Sequence, residues 1–196
     1  MSQIKRTVKF EADRVPGFDR EIMSVPGCEQ LDSCIQCGTC SGVCPLSVYM
    51  DYTPRQVMEL TRSSFKNEVL SSFTIWLCAS CYSCTVECPR QIRITDIMYE
   101  LKQRAIKERV YPRKFPIPVL AQEFTKMVMH NGRITELLLV MNLFRKTSLL
   151  AAMSNWRMGF DLLKTRRLSP AIEKIKQRAD LARMFDAVDH KNGNQP

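Results

Sequence analysis

The sequence predicts a mainly α-helical fold, and three observations carry that prediction. One cysteine phrase is written twice, 44 residues apart, and the residues between the copies repeat with helical rather than alternating period. Helix punctuation (Thr-Pro, Ser-Pro and Asn-Gly pairs) sits at the edges of the apolar stretches. Beyond the second phrase, three further stretches keep helical spacing. The 196 residues suffice for one domain, or a compact domain with an extension. Three segments are expected: a leader at 1–33, a cysteine-bearing domain at 34–110, and a connector with a basic helical extension at 111–196.

In the leader, Pro16-Gly17 and Pro26-Gly27 are turn signals, and the segment either lies across a partner or covers the module behind it. Thr53-Pro54-Arg55-Gln56 then reads as a capping box with proline at the first helical position. Val57, Met58, Leu60, Thr61 and Phe65 follow on one face. A short helix from about Asn67 carries Val69, Leu70, Phe73 and Trp76 towards Cys78. Thr95 is expected to cap a helix bearing Ile97, Met98, Leu101 and Ala105, which Pro112 stops. Residues 111–118 read as an extended, proline-rich connector. Helices are expected at about 119–130, ended by Asn131-Gly132, at 134–164, and at 170–186, opened by Ser169-Pro170. The last ten residues are expected to fray.

The phrases are Cys34-x2-Cys37-x2-Cys40-x3-Cys44-Pro45 and Cys78-x2-Cys81-x2-Cys84-x3-Cys88-Pro89, and they use eight of nine cysteines. This is the bacterial [4Fe–4S] spacing, in which the fourth cysteine serves the other cluster. Three cysteines two residues apart wrap one cube, and the proline turns the fourth away from its own loop. Two [4Fe–4S] clusters are therefore expected: cluster I on Cys34, Cys37, Cys40 and Cys88, cluster II on Cys78, Cys81, Cys84 and Cys44. Zinc ribbons also pair Cys-x2-Cys, but zinc takes four ligands, usually as two separated pairs. Two runs of four ending in Cys-Pro fit iron–sulfur better. The fold expected is an α-helical dicluster ferredoxin with a C-terminal helical extension.

Other residues weigh less. Gly38 and Gly42 would let backbone N–H groups approach cluster sulfurs, with Ser80 and Ser83 at or near the matching places. Cys28 reads as a buried bystander, and His130 and His190 as surface residues. Trp76 and Tyr82 are explained by packing, although either would shield a cluster. Arg90 and Arg93 would raise a cluster potential or pair with an acidic partner if they are more than solvated.

Charge is divided unevenly: 10 basic against 12 acidic residues up to position 100, then 19 against 8. With eight thiolates and two clusters the net charge falls from +9 to about +5. The basic residues are expected on solvated faces or against acidic partner subunits, not on nucleic acid. Met1 to Arg6 does not open a signal peptide, and no stretch approaches the roughly 20 apolar residues of a membrane span. A cytoplasmic protein is expected. In the extension, Leu137, Leu138, Val140, Met141, Phe144, Leu149, Leu150, Met153, Trp156 and Phe160 are expected in a core or against a partner. Peripheral membrane contact is the less favoured reading, because the basic residues are scattered.

The wording around the cysteines is more specific than their spacing. Cys34-Ile-Gln-Cys-Gly-Thr-Cys-Ser-Gly-Val-Cys-Pro45 and Trp76-Leu-Cys-Ala-Ser-Cys-Tyr-Ser-Cys-Thr-Val-Glu-Cys-Pro-Arg90 resemble the C subunit of heterodisulfide reductase, over about residues 30–110. The resemblance implies a two-cluster relay between a flavin-bearing A subunit and a catalytic B subunit, in methanogens or in the similar complexes of sulfur-oxidising bacteria. It implies no catalysis by this chain alone, which lacks the cysteine-rich repeats of B. Two other readings stand beside it: an iron–sulfur subunit of a respiratory dehydrogenase feeding quinone, and an interaction protein stapled by clusters.

Overall fold

Every regular element among the described residues of the computed structural model is helical; these are residues 11–111, 115–147, 153–165 and 174–191. The chain divides into two compact units, Met1–Arg113 and Lys114–Pro196.

The first unit opens with a 3-10 turn at Glu11–Asp13 and helix α1, Phe18–Met23. Phe18 and Ile22 are fully buried, as is Leu31 in the 3-10 segment Glu29–Ser33. The leader residues from 11 onward thus pack into this unit; residues 1–10 lie outside the described ones. Ser64 Oγ donates to Asp19 Oδ1 at 2.9 Å, and Arg104 reaches Glu21 at 2.7 Å.

Helix α2 is the single turn Thr39–Gly42, and α3 is Pro54–Arg62. The Thr53 N–H donates to Gln56 Oε1 at 2.8 Å, so the capping box forms as expected. Pro54, Val57, Met58, Leu60 and Thr61 face inward. Phe65 falls past the helix, because Ser64 turns left-handed at φ 60°. The N–H groups of Ser64 and Phe65 then bond back to Thr61 and Leu60, closing a Schellman end without glycine.

The single helix expected from Asn67 to Cys78 is two: α4, Lys66–Ser71, and α5, Thr74–Leu77. The cause is Asp51, whose carboxylate accepts the N–H groups of Phe73 and Thr74 at 2.8 Å each and the Thr74 hydroxyl. Ser72 is extended at that break. Helix α6 is the turn Ser83–Val86, and α7 runs Ile94–Lys107. Thr95 is not its cap but its second residue, buried, with Arg93 outside. The helix ends five residues before Pro112: Arg109 is left-handed at φ 57°, and the Val110 N–H bonds back to Ala105. Pro112 itself lies outside the described residues.

In the second unit, α8 is Pro116–Asn131, α9 Glu136–Thr147, α10 Trp156–Lys164 and α11 Arg178–Lys191. The connector is therefore not extended throughout. Pro116 takes the first helical position, where its missing N–H costs nothing; residues 112–114 are not described. Gly132 ends α8 at φ 78°, and a Cβ there would overlap the Ile175 side chain. The Ile175 N–H donates to Asn131 O, so this residue straps the end of α8 instead of continuing a helix from Ser169-Pro170, which lies outside the described residues. Helix α11 consequently starts at Arg178 and runs into the stretch expected to fray. The stretch expected at 134–164 turns at Asn155; Leu149 and Leu150 are not described. Glu123 is buried and ion-paired with Lys146, whose hydrogen bond holds the carboxyl below its ordinary range despite burial. Leu139 is buried, while Met141, Met153, Trp156 and Phe160 stay exposed, so of the two expected coverings the core of this chain does not supply theirs. No described helix is long and apolar enough to cross a membrane.

Candidate metal centres

The two cysteine phrases adopt one backbone path twice. Gln36 and Gly38 are left-handed at φ 57° and 84°, and their counterparts 44 residues on, Ser80 and Tyr82, are left-handed at 56° and 63°. Each pair of reversals curls three cysteines around a volume and starts a one-turn helix. Gly38 is thus matched by Tyr82, not by Ser80 or Ser83. A Cβ at Gly42 would meet nothing within 4 Å, so that glycine is not required for close approach.

Three polar contacts repeat with the backbone. The hydroxyl after the third cysteine caps the following long helix: Ser41 Oγ accepts from the Arg55 N–H at 3.0 Å, and Thr85 Oγ1 from the Thr95 N–H at 3.1 Å. A cation on the ninth residue of each long helix holds the carbonyl of its own first cysteine. Arg62 donates to Cys34 O at 2.7 Å, and Lys102 to Cys78 O at 2.9 Å. A hydroxyl two residues after the middle cysteine meets its sulfur, Thr39 at 3.4 Å from Cys37 and Ser83 at 3.6 Å from Cys81.

Two cavities result. One is lined by Cys34, Cys37, Cys40 and Cys88, with Arg55, Arg90, Ile92 and Ile94. The other is lined by Cys78, Cys81, Cys84 and Cys44, with Leu46, Met50, Thr95 and Met98. The structure therefore gathers the eight motif cysteines as two sets of four, each with three thiols from one phrase and the Cys-Pro thiol of the other. Among the described residues no three His, Cys, Asp or Glu groups are placed to share one metal ion; the thiols stand around the rim of a volume instead. Four soft donors at the edge of a small, largely apolar cavity fit a cube that presents one iron to each.

The thiols differ with depth. The Thr39 hydroxyl lowers the Cys37 thiol below its ordinary value, and the Ser83 hydroxyl does the same for Cys81. Burial pushes Cys40 up to about 11 and raises Cys84. The outer thiol of each phrase is thus the readier anion, and the inner one gives up its proton only against a strong positive charge.

Outside the cavities, Cys28 is buried and pushed up to about 11, by burial first and then by Glu100, Asp96 and Glu29. It lines neither cavity. Trp76 is buried edge-to-face on Tyr111, centroids 6.3 Å apart, whereas Tyr82 lines the second cavity and is 46% exposed. Arg90 donates to Ser33 O at the rim of the first cavity, while Arg93 turns to Asp96 at 3.9 Å. His130 is exposed, and nothing is described of the His190 side chain. Sequence reasoning missed Gln36, Thr39, Ser41, Arg55, Arg62, Thr85 and Lys102. Aligning the phrases with each other would have flagged Ser41 with Thr85 and Thr39 with Ser83. Arg62 and Lys102 would have needed the long helices aligned separately, 40 residues apart.

Residues 30–92 match the family described as the 4Fe-4S dicluster domain. The chain is also similar to the C subunit of the H(2):CoB-CoM heterodisulfide,ferredoxin reductase from Methanothermobacter marburgensis, 37% identical over 90 residues, which cover 46% of this chain and 48% of that protein. The C subunit of the ferredoxin:CoB-CoM heterodisulfide reductase from Methanosarcina acetivorans is 42% identical over 80 residues, 41% of this chain and 32% of its own length. The iron-sulfur C subunit of the CoB--CoM heterodisulfide reductase from Methanopyrus kandleri is 32% identical over 115 residues, 55% of this chain and 60% of its own. The chain spans about half the length of the curated relatives it matches. The dicluster module carries two [4Fe–4S] clusters.

Proposed function

We propose that this chain, whose residues 30–92 belong to the 4Fe-4S dicluster domain family, is the electron-relay subunit of a heterodisulfide-reductase-like complex in sulfur or disulfide metabolism. It works in the cytoplasm between a flavoprotein A subunit and a catalytic, cysteine-rich B subunit. The observation that supports the reading best is the pair of neighbouring cavities, each ringed by four thiols drawn from both phrases. Cys34, Cys37, Cys40 and Cys88 hold cluster I, and Cys78, Cys81, Cys84 and Cys44 hold cluster II. When bound, the clusters supply one-electron chemistry without proton transfer.

The chain's own residues hold and insulate that chemistry. Arg62 and Lys102 pin the first cysteine of each phrase through its carbonyl. Ile92, Ile94, Met50 and Met98 line the cavity walls and keep water from them. No thiol is left over for disulfide attack, since Cys28 is buried and held protonated. The disulfide chemistry is assigned to the partner, whose cysteine-rich repeats this chain lacks.

Affinity capture of the tagged full chain under anaerobic conditions tests the assignment. A flavoprotein and a second, cysteine-rich protein are the expected companions, and the isolated chain is expected to hold about eight irons and eight sulfides. A dehydrogenase with membrane anchors as the companions would overturn it.

A further inference from the structure

The two cavities share a backbone but not an electrostatic setting. Around the first, Gln36 Nε2 donates to Cys34 Sγ at 3.3 Å, and Gln36 Oε1 accepts from Arg55 Nη1 at 3.3 Å. A guanidinium thus stands behind an amide that stands on a ligand sulfur. Gln36 has Ser80 in its place in the second phrase, and Arg55 has Thr95 in its place on the second long helix.

We infer that the centre ringed by Cys34, Cys37, Cys40 and Cys88 has the higher reduction potential of the two, and that Gln36 and Arg55 set it there. The inference rests on the ligand sets proposed above. Accepting an electron adds one negative charge to a centre, with no bond made or broken and no proton moved. A donor aimed at a thiolate and a cation behind it both favour the more negative state.

The opposing contributions are smaller or cancel. Arg62 and Lys102 sit equivalently on Cys34 O and Cys78 O, and Arg62 is partly neutralised by Glu59 at 2.6 Å. The Thr39 and Ser83 hydroxyls are likewise a matched pair. Thr95 Oγ1 lies 3.7 Å from Cys84 Sγ, but it is neutral and shares its hydroxyl with Thr85 at 3.1 Å. No Asp, Glu, Lys or Arg is among the described residues lining the second cavity. Arg90 adds to the first cavity's charge but is exposed and screened, whereas Arg55 is half-buried. An electron entering the relay at either end then settles in the first centre, and it leaves at a cost when its exit is through the second.

The test is a mediated dithionite titration of the anaerobic holoprotein followed by EPR. Replacing Cys88→Ser marks the first centre's signal by changing its line shape, and Cys44→Ser marks the other. The marked first-centre signal is expected at the higher potential. Gln36→Asn shortens the amide out of reach of the sulfur while tolerating the left-handed backbone, and Arg55→Gln removes the charge. Each is expected to lower that centre's one-electron equilibrium about tenfold, about 59 mV, with the second centre unchanged. Arg55→Lys is expected to restore most of the difference, which a merely structural role would not. A first-centre one-electron equilibrium within twofold of wild type in both variants, with iron content retained, would overturn the inference, as would a first-centre signal that appears second. Four irons in the wild-type chain would instead sink the dicluster reading beneath it.

Discussion

Cys44 and Cys88 each precede a proline, and each lines the cavity formed mainly by the other phrase. Proline fixes φ and turns the chain out of the preceding helical turn, so the fourth thiol leaves its own loop. Replacing Cys44→Ala is therefore expected to cost the cluster held by Cys78, Cys81 and Cys84 while the first persists. Iron content falling from about eight to four, with the surviving EPR signal still altered by Cys88→Ser, checks it; loss of the first-phrase cluster instead would make the crossing wrong. At this scale the cysteines were legible because their chemistry and spacing are rare in combination. The hydroxyls and cations around them were not, since Thr39, Ser41, Arg62 and Lys102 look like ordinary surface residues until the backbone folds them inward.

The two long helices, α3 and α7, are copies in mechanism though not in sequence. Each starts under a hydroxyl from its own cysteine phrase and carries a cation eight residues after its first position. Capping by a residue 10 or 14 places away ties the helix to the cluster loop, so strain in one is felt by the other. Ser41→Ala and Thr85→Val are each expected to destabilise the first unit by about 1 kcal/mol. The urea midpoint for loss of the visible cluster absorbance should fall in both, and an unchanged midpoint would show that the caps are idle. Helix existence was legible here from apolar spacing, and the Thr53-Pro54 start from its capping box. The ends were not, because Ser64 and Arg109 close left-handed turns that composition assigns to glycine. The split between α4 and α5 was hidden for a like reason: it depends on Asp51, more than 20 residues away.

For the molecule as a whole, all eight motif cysteines lie in the unit Met1–Arg113, and the unit Lys114–Pro196 contains no cysteine. If, as proposed, each phrase lends its last cysteine to the other half's cluster, iron is a cross-link as well as a cofactor. Anaerobic chelation is expected to strip amide protection from α3, α6 and α7 while α8 and α9, joined by the Glu123–Lys146 pair, keep theirs. Hydrogen exchange read by mass spectrometry checks this, and uniform loss along the chain would contradict it. What the sequence by itself determined is the chemistry: eight thiols in two spaced phrases, helical segments around them, and wording that points to the C subunit of a heterodisulfide reductase. Those are local properties, since ligand spacing and apolar period lie within a few turns of chain. Only the tertiary structure decided how the two sites differ. Arg55 reaches Gln36 across 19 residues, and Thr95 meets Cys84 across 11. Such contacts depend on where the long helices dock, and no local pattern encodes that.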